Sequence, residues 1–356
     1  HCQLRTQLYH RNATVHDNTI AYITDQHQVG YFRPNHLSGL ETILSLNPTR
    51  RVHLTWGMVM EMETLSKGFS KSYSASPTQI PDPPVSPPSL NNTLLSSYLQ
   101  LQYALSSSLQ LTSGFRYDNS NVYDEILTPR LGMVFNNKAM TTKLLYTEAF
   151  RAPKPWDYSD GQGNPDLDPE KMKSLELFVA LHLSKNVKAE LSLYRNRLEG
   201  ILIKSQSGLD YRWVNGQHLE TDGFELSFHY ARGKFKGYGN YTYNSSQYEN
   251  GEAVPEISRH SANVGLFINL SKKLKLDLRC HYLGKRKNPS IIQATGNDEI
   301  DAAFIMDMTL SLVNIKGTDL SLIGRNLFDT IYFHSSNRPP DRYRQPQRSI
   351  QFCIRY

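Results

Sequence analysis

Apolar and polar residues alternate along most of this chain with a period of two. In 173–183, Leu175, Leu177, Val179, Leu181 and Leu183 share one parity, and Glu176 and His182 take the other. In 274–282, Leu274, Leu276, Leu278, Cys280 and Tyr282 lie opposite Lys275, Asp277, Arg279 and His281. In 306–312, Met306, Met308, Leu310 and Leu312 alternate with Asp307, Thr309 and Ser311. Successive side chains of a strand point to opposite faces, so each segment predicts a strand with one apolar and one polar face. Counting such segments predicts about 15 to 17 strands, more than one ordinary sandwich sheet holds. No stretch with helical period and capping residues interrupts them.

The strand-like runs come in pairs. Tight polar turns are predicted at Asn47-Pro48-Thr49-Arg50, Ser106-Ser107-Ser108, Asn136-Asn137-Lys138, Lys185-Asn186, Arg232-Gly233, Ser271-Lys272-Lys273 and Lys316-Gly317. Longer connections fall near 64–91, 150–172, 285–302 and 331–346. Short turns on one side and long loops on the other are the mark of an outer-membrane barrel. The polar face supports the same reading. Lys275, Asp277 and Arg279 stand mid-strand, where a wet barrel interior accepts charge and the packed core of a sandwich does not. In Gln347–Tyr356, Ile350, Phe352, Ile354 and Tyr356 share one parity and the chain ends on an aromatic, suited to a membrane interface.

Composition changes the picture in four ways. Mean hydropathy is -0.51, and no apolar run of about 18 residues exists, which excludes a helical span but not a barrel. The 21 tyrosines among 356 residues favour both strands and membrane interfaces. The formal charge of +6 comes from scattered lysines and arginines, so nucleic acid is not an expected partner. Cys2, Cys280 and Cys353 are far apart and lack metal-ligand spacing. The sequence has no secretory signal before His1, which a barrel precursor needs; a fragment or a trimmed start is expected.

Motifs follow in a definite order. Gly114-Phe115-Arg116-Tyr117-Asp118 precedes Thr128-Pro129-Arg130-Leu131-Gly132-Met133-Val134-Phe135. Then come Tyr146-Thr147-Glu148-Ala149-Phe150-Arg151-Ala152-Pro153 and Gly163-Asn164-Pro165-Asp166-Leu167-Asp168-Pro169-Glu170. Val254 to Asn263 and Arg325-Asn326-Leu327-Phe328-Asp329 complete the series. Over roughly 110–356 this order resembles the TonB-dependent outer-membrane receptors. The closing strand is also similar to the signal read by the barrel-assembly machinery. The resemblance implies an all-β, transmembrane antiparallel β-barrel of the receptor type with about 22 strands. This chain is then its C-terminal portion over residues 1–356, incomplete, with no plug domain and no TonB box of its own.

Locally, Pro153 and Pro155 cannot donate ladder hydrogen bonds and must end a strand. Asn164-Pro165 and Asp168-Pro169 turn the loop back, and Glu170 opens the next strand. Arg151, Lys154, Trp156 and Tyr158 in the loop 150–172 are candidate ligand contacts, because aromatic rings beside cations suit catecholate or carboxylate chelates. Strand ends and loop packing account for the same residues. Asp157, Asp160, Asp166 and Asp168 are weak calcium candidates, since Asp beside Gly or Pro is also turn chemistry. Haem receptors of the family carry a histidine between the two boxes; Lys154 to Gly163 has none, leaving His334 in another loop.

Lys285, Arg286 and Lys287 follow Tyr282, where they either face lipopolysaccharide phosphates or begin a solvated loop. The prolines of 77–88 predict a stiff, extended segment. No enzyme signature is present: Gly161-Gln162-Gly163 lacks the remainder of a phosphate loop, and no HExxH, GxSxG or Cys–His nucleophile pairing occurs. No cofactor is expected. The resemblance implies energy-coupled uptake of a ferric siderophore or similar nutrient chelate across the outer membrane of a Gram-negative bacterium. Its partners would be the TonB complex, lipopolysaccharide and outer-membrane lipid. Cobalamin, haem or glycan uptake, or a plugless passive pore, are the alternatives.

Overall fold

The computed structural model describes residues 1–13, 21–24, 27–32, 35–65, 69–73, 89–154, 157–158, 162–207, 210–288, 298–335 and 342–356. Trp156, Asp160 and the proline-rich 77–88 lie outside the described residues. Among the described residues every regular element is a strand.

In chain order these are β1 (Cys2–Ala13), β2 (Ala21–Thr24), β3 (His27–Phe32), β4 (Asn35–Thr49), β5 (Val52–Leu65), β6 (Phe69–Tyr73), β7 (Leu90–Ala104) and β8 (Leu109–Ser120). Next come β9 (Asp124–Asn136), β10 (Met140–Arg151), β11 (Glu170–Ser184), β12 (Val187–Glu199), β13 (Leu202–Ser207), β14 (Asp210–Asn215), β15 (Leu219–Arg232) and β16 (Phe235–Tyr248). The last are β17 (His260–Asn269), β18 (Leu274–Leu283), β19 (Arg286–Lys287), β20 (Glu299–Ile300), β21 (Ala303–Ile315), β22 (Thr318–Arg325), β23 (Phe333–Ser335), β24 (Arg342–Arg344) and β25 (Ser349–Arg355).

Sixteen of them form one sheet, in the order β1-β4-β5-β7-β8-β9-β10-β11-β12-β15-β16-β17-β18-β21-β22-β25. Its hairpins are antiparallel and closely registered, as in β15–β16 from Leu219↔Tyr248 to Arg232↔Phe235. The strands left out of that order lie in the long connections and pair with one another: β2-β3-β6, which joins two connections, and β13-β14, β19-β20 and β23-β24. The count of sixteen matches the sequence expectation. The long connections near 13–35 and 200–219 are additional to those read from the sequence. By contact density the chain divides into two compact units. The first is 1–133, 146–173 and 198–218, and the second is 134–145, 174–197 and 219–356.

Burial is inverted relative to a water-soluble sheet. Leu183, Leu226, Val264 and Ile350 are exposed, at 60%, 48%, 55% and 69%. The fully buried side chains include Ser96, Asp118 and Ser120. Apolar outside and polar inside is the arrangement that lipid on one face and a wet lumen on the other stabilise. The polar face contains a connected network: Arg116 Nε donates to Asp118 Oδ2 at 2.8 Å, Nη2 to Oδ1 at 2.7 Å, and Ser96 Oγ also donates to Asp118. A buried carboxylate held this way has its charge and lone pairs met.

The same face carries a repeated cross-strand pairing. Tyr9 lies opposite Gly39, Tyr98 opposite Gly57, and Tyr238 opposite Gly265. Each ring covers its glycine so closely that a methyl group there would overlap it, and Tyr194 covers Gly223 in the same way. A ring laid over a neighbouring glycine gives a polar-lined wall dense packing without large aliphatic residues.

Candidate functional site

The described residues of the loop following β10 are held by hydrogen bonds and burial. Pro153 is buried just after the strand stops at Arg151. Lys154 N donates to Asp157 Oδ2 at 2.8 Å, and Asp157 N donates to Lys154 O at 2.8 Å, which makes a reciprocal turn. Asn164 N then donates to Tyr158 O at 2.9 Å. Gly163 sits at φ 71°, a conformation that suits glycine. Leu167 is buried to 3% exposure and anchors the return.

The loop does not stand alone. The hairpin β13–β14 runs beside it, and backbone groups and two asparagine side chains join the two. Gln162 N donates to Tyr211 O at 2.9 Å, and Asn164 Nδ2 to Trp213 O at 2.9 Å. Asp168 N donates to Asn215 Oδ1 at 2.9 Å, and Asn215 Nδ2 returns a bond to Asp168 O at 2.8 Å. At the base, Glu170 is 5% exposed; its Oε1 accepts Leu202 N at 2.8 Å and its Oε2 accepts Arg151 Nε. One carboxylate thus joins the end of β10, the start of β11 and the start of β13.

The loop pair carries cationic and aromatic groups. Lys154 is exposed. Lys204 Nζ lies 4.4 Å from the Tyr211 ring centre and 5.2 Å from that of Trp213, a cation held over two aromatic faces. The Tyr158 hydroxyl is buried without a hydrogen-bond partner among the described residues. Burial, with the Asp157 charge adding to it, pushes the Tyr158 phenol up to about 12. Burial likewise pushes Tyr123 up to about 12, and its ring lies 5.6 Å from that of Phe150.

Of the residues singled out in the sequence, Arg151, Lys154, Asp157, Tyr158, Asp166 and Asp168 share this loop. Arg151 is the partner of Glu170. Among the described residues no three His, Cys, Asp or Glu groups gather as metal ligands. His334 stands on β23 in the second unit, its ring 5.9 Å from that of Tyr332. Lys204, Tyr211, Trp213 and Asn215 were missed. Their signal was a short alternating hairpin, Ile203 to Gln206 and Tyr211 to Val214, around Ser207-Gly208.

The run Lys285-Arg286-Lys287 does not form one outward patch. Arg286 is 7% exposed and donates to Phe333 O, because β19 pairs with β20 and turns this side chain inward. Lys285 meets Glu299 at 3.5 Å and Lys287 meets Asp298 at 3.6 Å.

Residues 3–327 match the family described as TonB dependent receptor-like, beta-barrel. The chain belongs to that family. It is an integral β-barrel protein of the outer membrane, of the receptor type. An iron-regulated outer membrane virulence protein of Vibrio cholerae is 25% identical over 230 residues, which cover 56% of this chain and 35% of that protein. The siderophore receptor PirA from Acinetobacter baumannii aligns over 99% of this chain and 59% of its own, at TM-score 0.71 and 15% identity. The copper transporter OprC aligns over 99% and 64%, at TM-score 0.73 and 14% identity. This TonB-dependent receptor chain therefore spans less than two thirds of the length of each of these relatives. Placed in the family frame, the short turns mark the periplasmic side, and the loop 152–169 and the hairpin β13–β14 stand at the extracellular ends of their strands.

Proposed function

We propose that residues 1–356 serve as barrel wall and outer loops of a receptor for energy-coupled uptake of a metal chelate, of the ferric siderophore kind. The observation that carries this reading is the braced loop pair at the extracellular ends of β10 to β12. Clamped at Glu170, it holds Lys154, Tyr158, Lys204, Tyr211 and Trp213 on a fixed framework. Ligand sites work best when their contacts are held by structure rather than ordered on binding. Aromatic faces beside cations suit a flat, anionic, oxygen-rich chelate, through stacking and charge-assisted hydrogen bonds. The iron-regulated Vibrio relative and the siderophore receptor PirA support the choice of cargo class. In this reading a plug and the TonB complex act with the wall described here.

The test is growth under iron limitation of a strain expressing the full-length parent gene, with a panel of ferric chelates supplied singly. Rescue by one chelate that disappears when TonB is deleted supports energised uptake and names the cargo. Absence of rescue by every iron source moves the reading to cobalamin, haem, glycan or passive permeation.

A further inference from the structure

Within the second unit, a cavity of about 620 Å³ opens against the polar face near the short turns Lys185-Asn186 and Arg232-Gly233. Its cationic lining is Lys185, Lys188, Lys236 and Arg279, with His182 and His229; Asp277 is its one carboxylate. The charges are not equivalent. Arg279 is neutralised by Asp277 through Nε–Oδ1 at 3.0 Å and Nη2–Oδ2 at 2.9 Å. Lys188 is paired with Glu190 at 2.5 Å. Lys236 has no ion pair among the described residues, and neither has Lys185. The cavity therefore holds uncompensated positive charge. Tyr238, over Gly265, and Phe267 supply its rigid wall.

Uncompensated ammonium groups at a concave, water-filled surface concentrate anions, and low-dielectric walls focus the field. We propose that this cavity is a binding station for solutes carrying several anionic oxygens, polycarboxylates or phosphates, on the inner wall at the periplasmic end of the barrel. Lys236 is its principal charge, and His182 adds ring nitrogens, while His229 Nε2 faces Glu190 at 3.7 Å. The inference rests on the uptake reading for its purpose: an anionic chelate released at the outer loops would meet this station before leaving the barrel.

The probes are citrate and inorganic phosphate, titrated calorimetrically into the detergent-purified full-length receptor at low and high salt. Wild type should bind at least one of them, more weakly at high salt. Lys236→Gln should weaken binding about fivefold, the worth of one nearby unit charge in a hydrated site. Lys236→Glu should abolish it. Which probe binds separates a carboxylate from a phosphate ligand. Folding of each variant is read from the heat-dependent mobility shift on gels, so a misfolded protein is recognised. No binding by wild type, or equal binding by Lys236→Gln, overturns the station. So does loss of receptor thermal stability in Lys236→Glu without any anion binding by wild type, since an acidic segment of the receptor would then occupy the cavity. TonB-dependent growth on a chelate would stand regardless, so the two readings fail separately.

Discussion

Arg151 and Glu170 are nineteen residues apart in sequence and form an ion pair at the base of the loop between β10 and β11. The carboxylate is nearly buried and the guanidinium half exposed, so the pair is stabilised mainly by what else the carboxylate does: its second oxygen holds Leu202 N at the start of the neighbouring hairpin. A buried acceptor that serves two elements fixes their relative position more firmly than either bond does alone.

Removing that acceptor should loosen the site before it damages the barrel. Glu170→Ala leaves Leu202 N buried without its acceptor and is expected to cost about 1–3 kcal/mol. Glu170→Gln keeps an acceptor for Leu202 and loses only the charge partner of Arg151, so it should cost less and resemble Arg151→Ala. Limited proteolysis on intact cells reads the outcome. Faster cleavage within 152–169 for Glu170→Ala, intermediate for Glu170→Gln, is expected. A loop equally resistant in all variants would show that the clamp is dispensable.

The tyrosine–glycine pairs make a sharper stability prediction. At Gly57 a methyl group would overlap the Tyr98 ring, which would have to leave its place beside Glu41. Gly57→Ala should therefore destabilise by about 1–3 kcal/mol. Gly239 is the control: its nearest neighbour to an added methyl is Asn263 O at 3.9 Å, so Gly239→Ala should change stability by less than about 0.5 kcal/mol. The temperature at which the folded gel band disappears compares the two. Equal shifts would mean that ring and glycine separate easily.

Tyr158 combines a pH effect with a ligand effect. Its phenol is pushed from 10.0 up to about 12, first by burial and then by Asp157. A raised folded-state value means its contribution to stability is complete below pH about 10 and is lost as pH rises towards about 12. Difference titration of tyrosinate absorbance between wild type and Tyr158→Phe should show one late-ionising group missing from the variant. Because the hydroxyl has no partner among the described residues, Tyr158→Phe should leave stability at neutral pH unchanged or slightly raised. Chelate affinity, by contrast, should fall if the hydroxyl is the ligand's donor; unchanged affinity would remove Tyr158 from the site.

How much of this was legible in the sequence depends on the range of the interactions. The period-two alternation of 274–282 and the prolines after Arg151 act locally, and β18 and the end of β10 follow from them directly. The membrane-type inversion was readable from charges such as Asp277 and Arg279 in mid-strand. The partner of Arg151 was not, because nothing in a single sequence marks residue 170 rather than another acid as the acceptor. Nor was the inward turn of Arg286. Its position after Tyr282 suggested an outward cation, but the two-residue pairing of β19 with β20 decides its direction, and that pairing bridges an interval whose sequence has no strand pattern. The hairpin β13–β14 was missed because its strands have only six residues each, too short for a period-two alternation to stand out against the longer strands around it.

That hairpin supports the most direct test of the proposed site. The chain has three tryptophans: Trp56, Trp156 and Trp213. Trp56 is on the lipid-facing side of β5, 38% exposed, with Nε1 donating to Ser97 Oγ at 3.2 Å. Trp213 is on the hairpin beside Lys204. Ferric chelates absorb in the near ultraviolet and quench nearby indoles strongly. If the loop pair is the binding surface, Trp213→Phe should remove a large part of the ligand-induced quench, and Trp56→Phe should remove little. Lys204→Ala should weaken binding about fivefold, as expected for the loss of one unit charge near an anionic ligand at an exposed site, without shifting the thermal transition of the barrel. Full quenching retained in Trp213→Phe, together with unchanged affinity in Lys204→Ala, would place the ligand elsewhere among the outer loops.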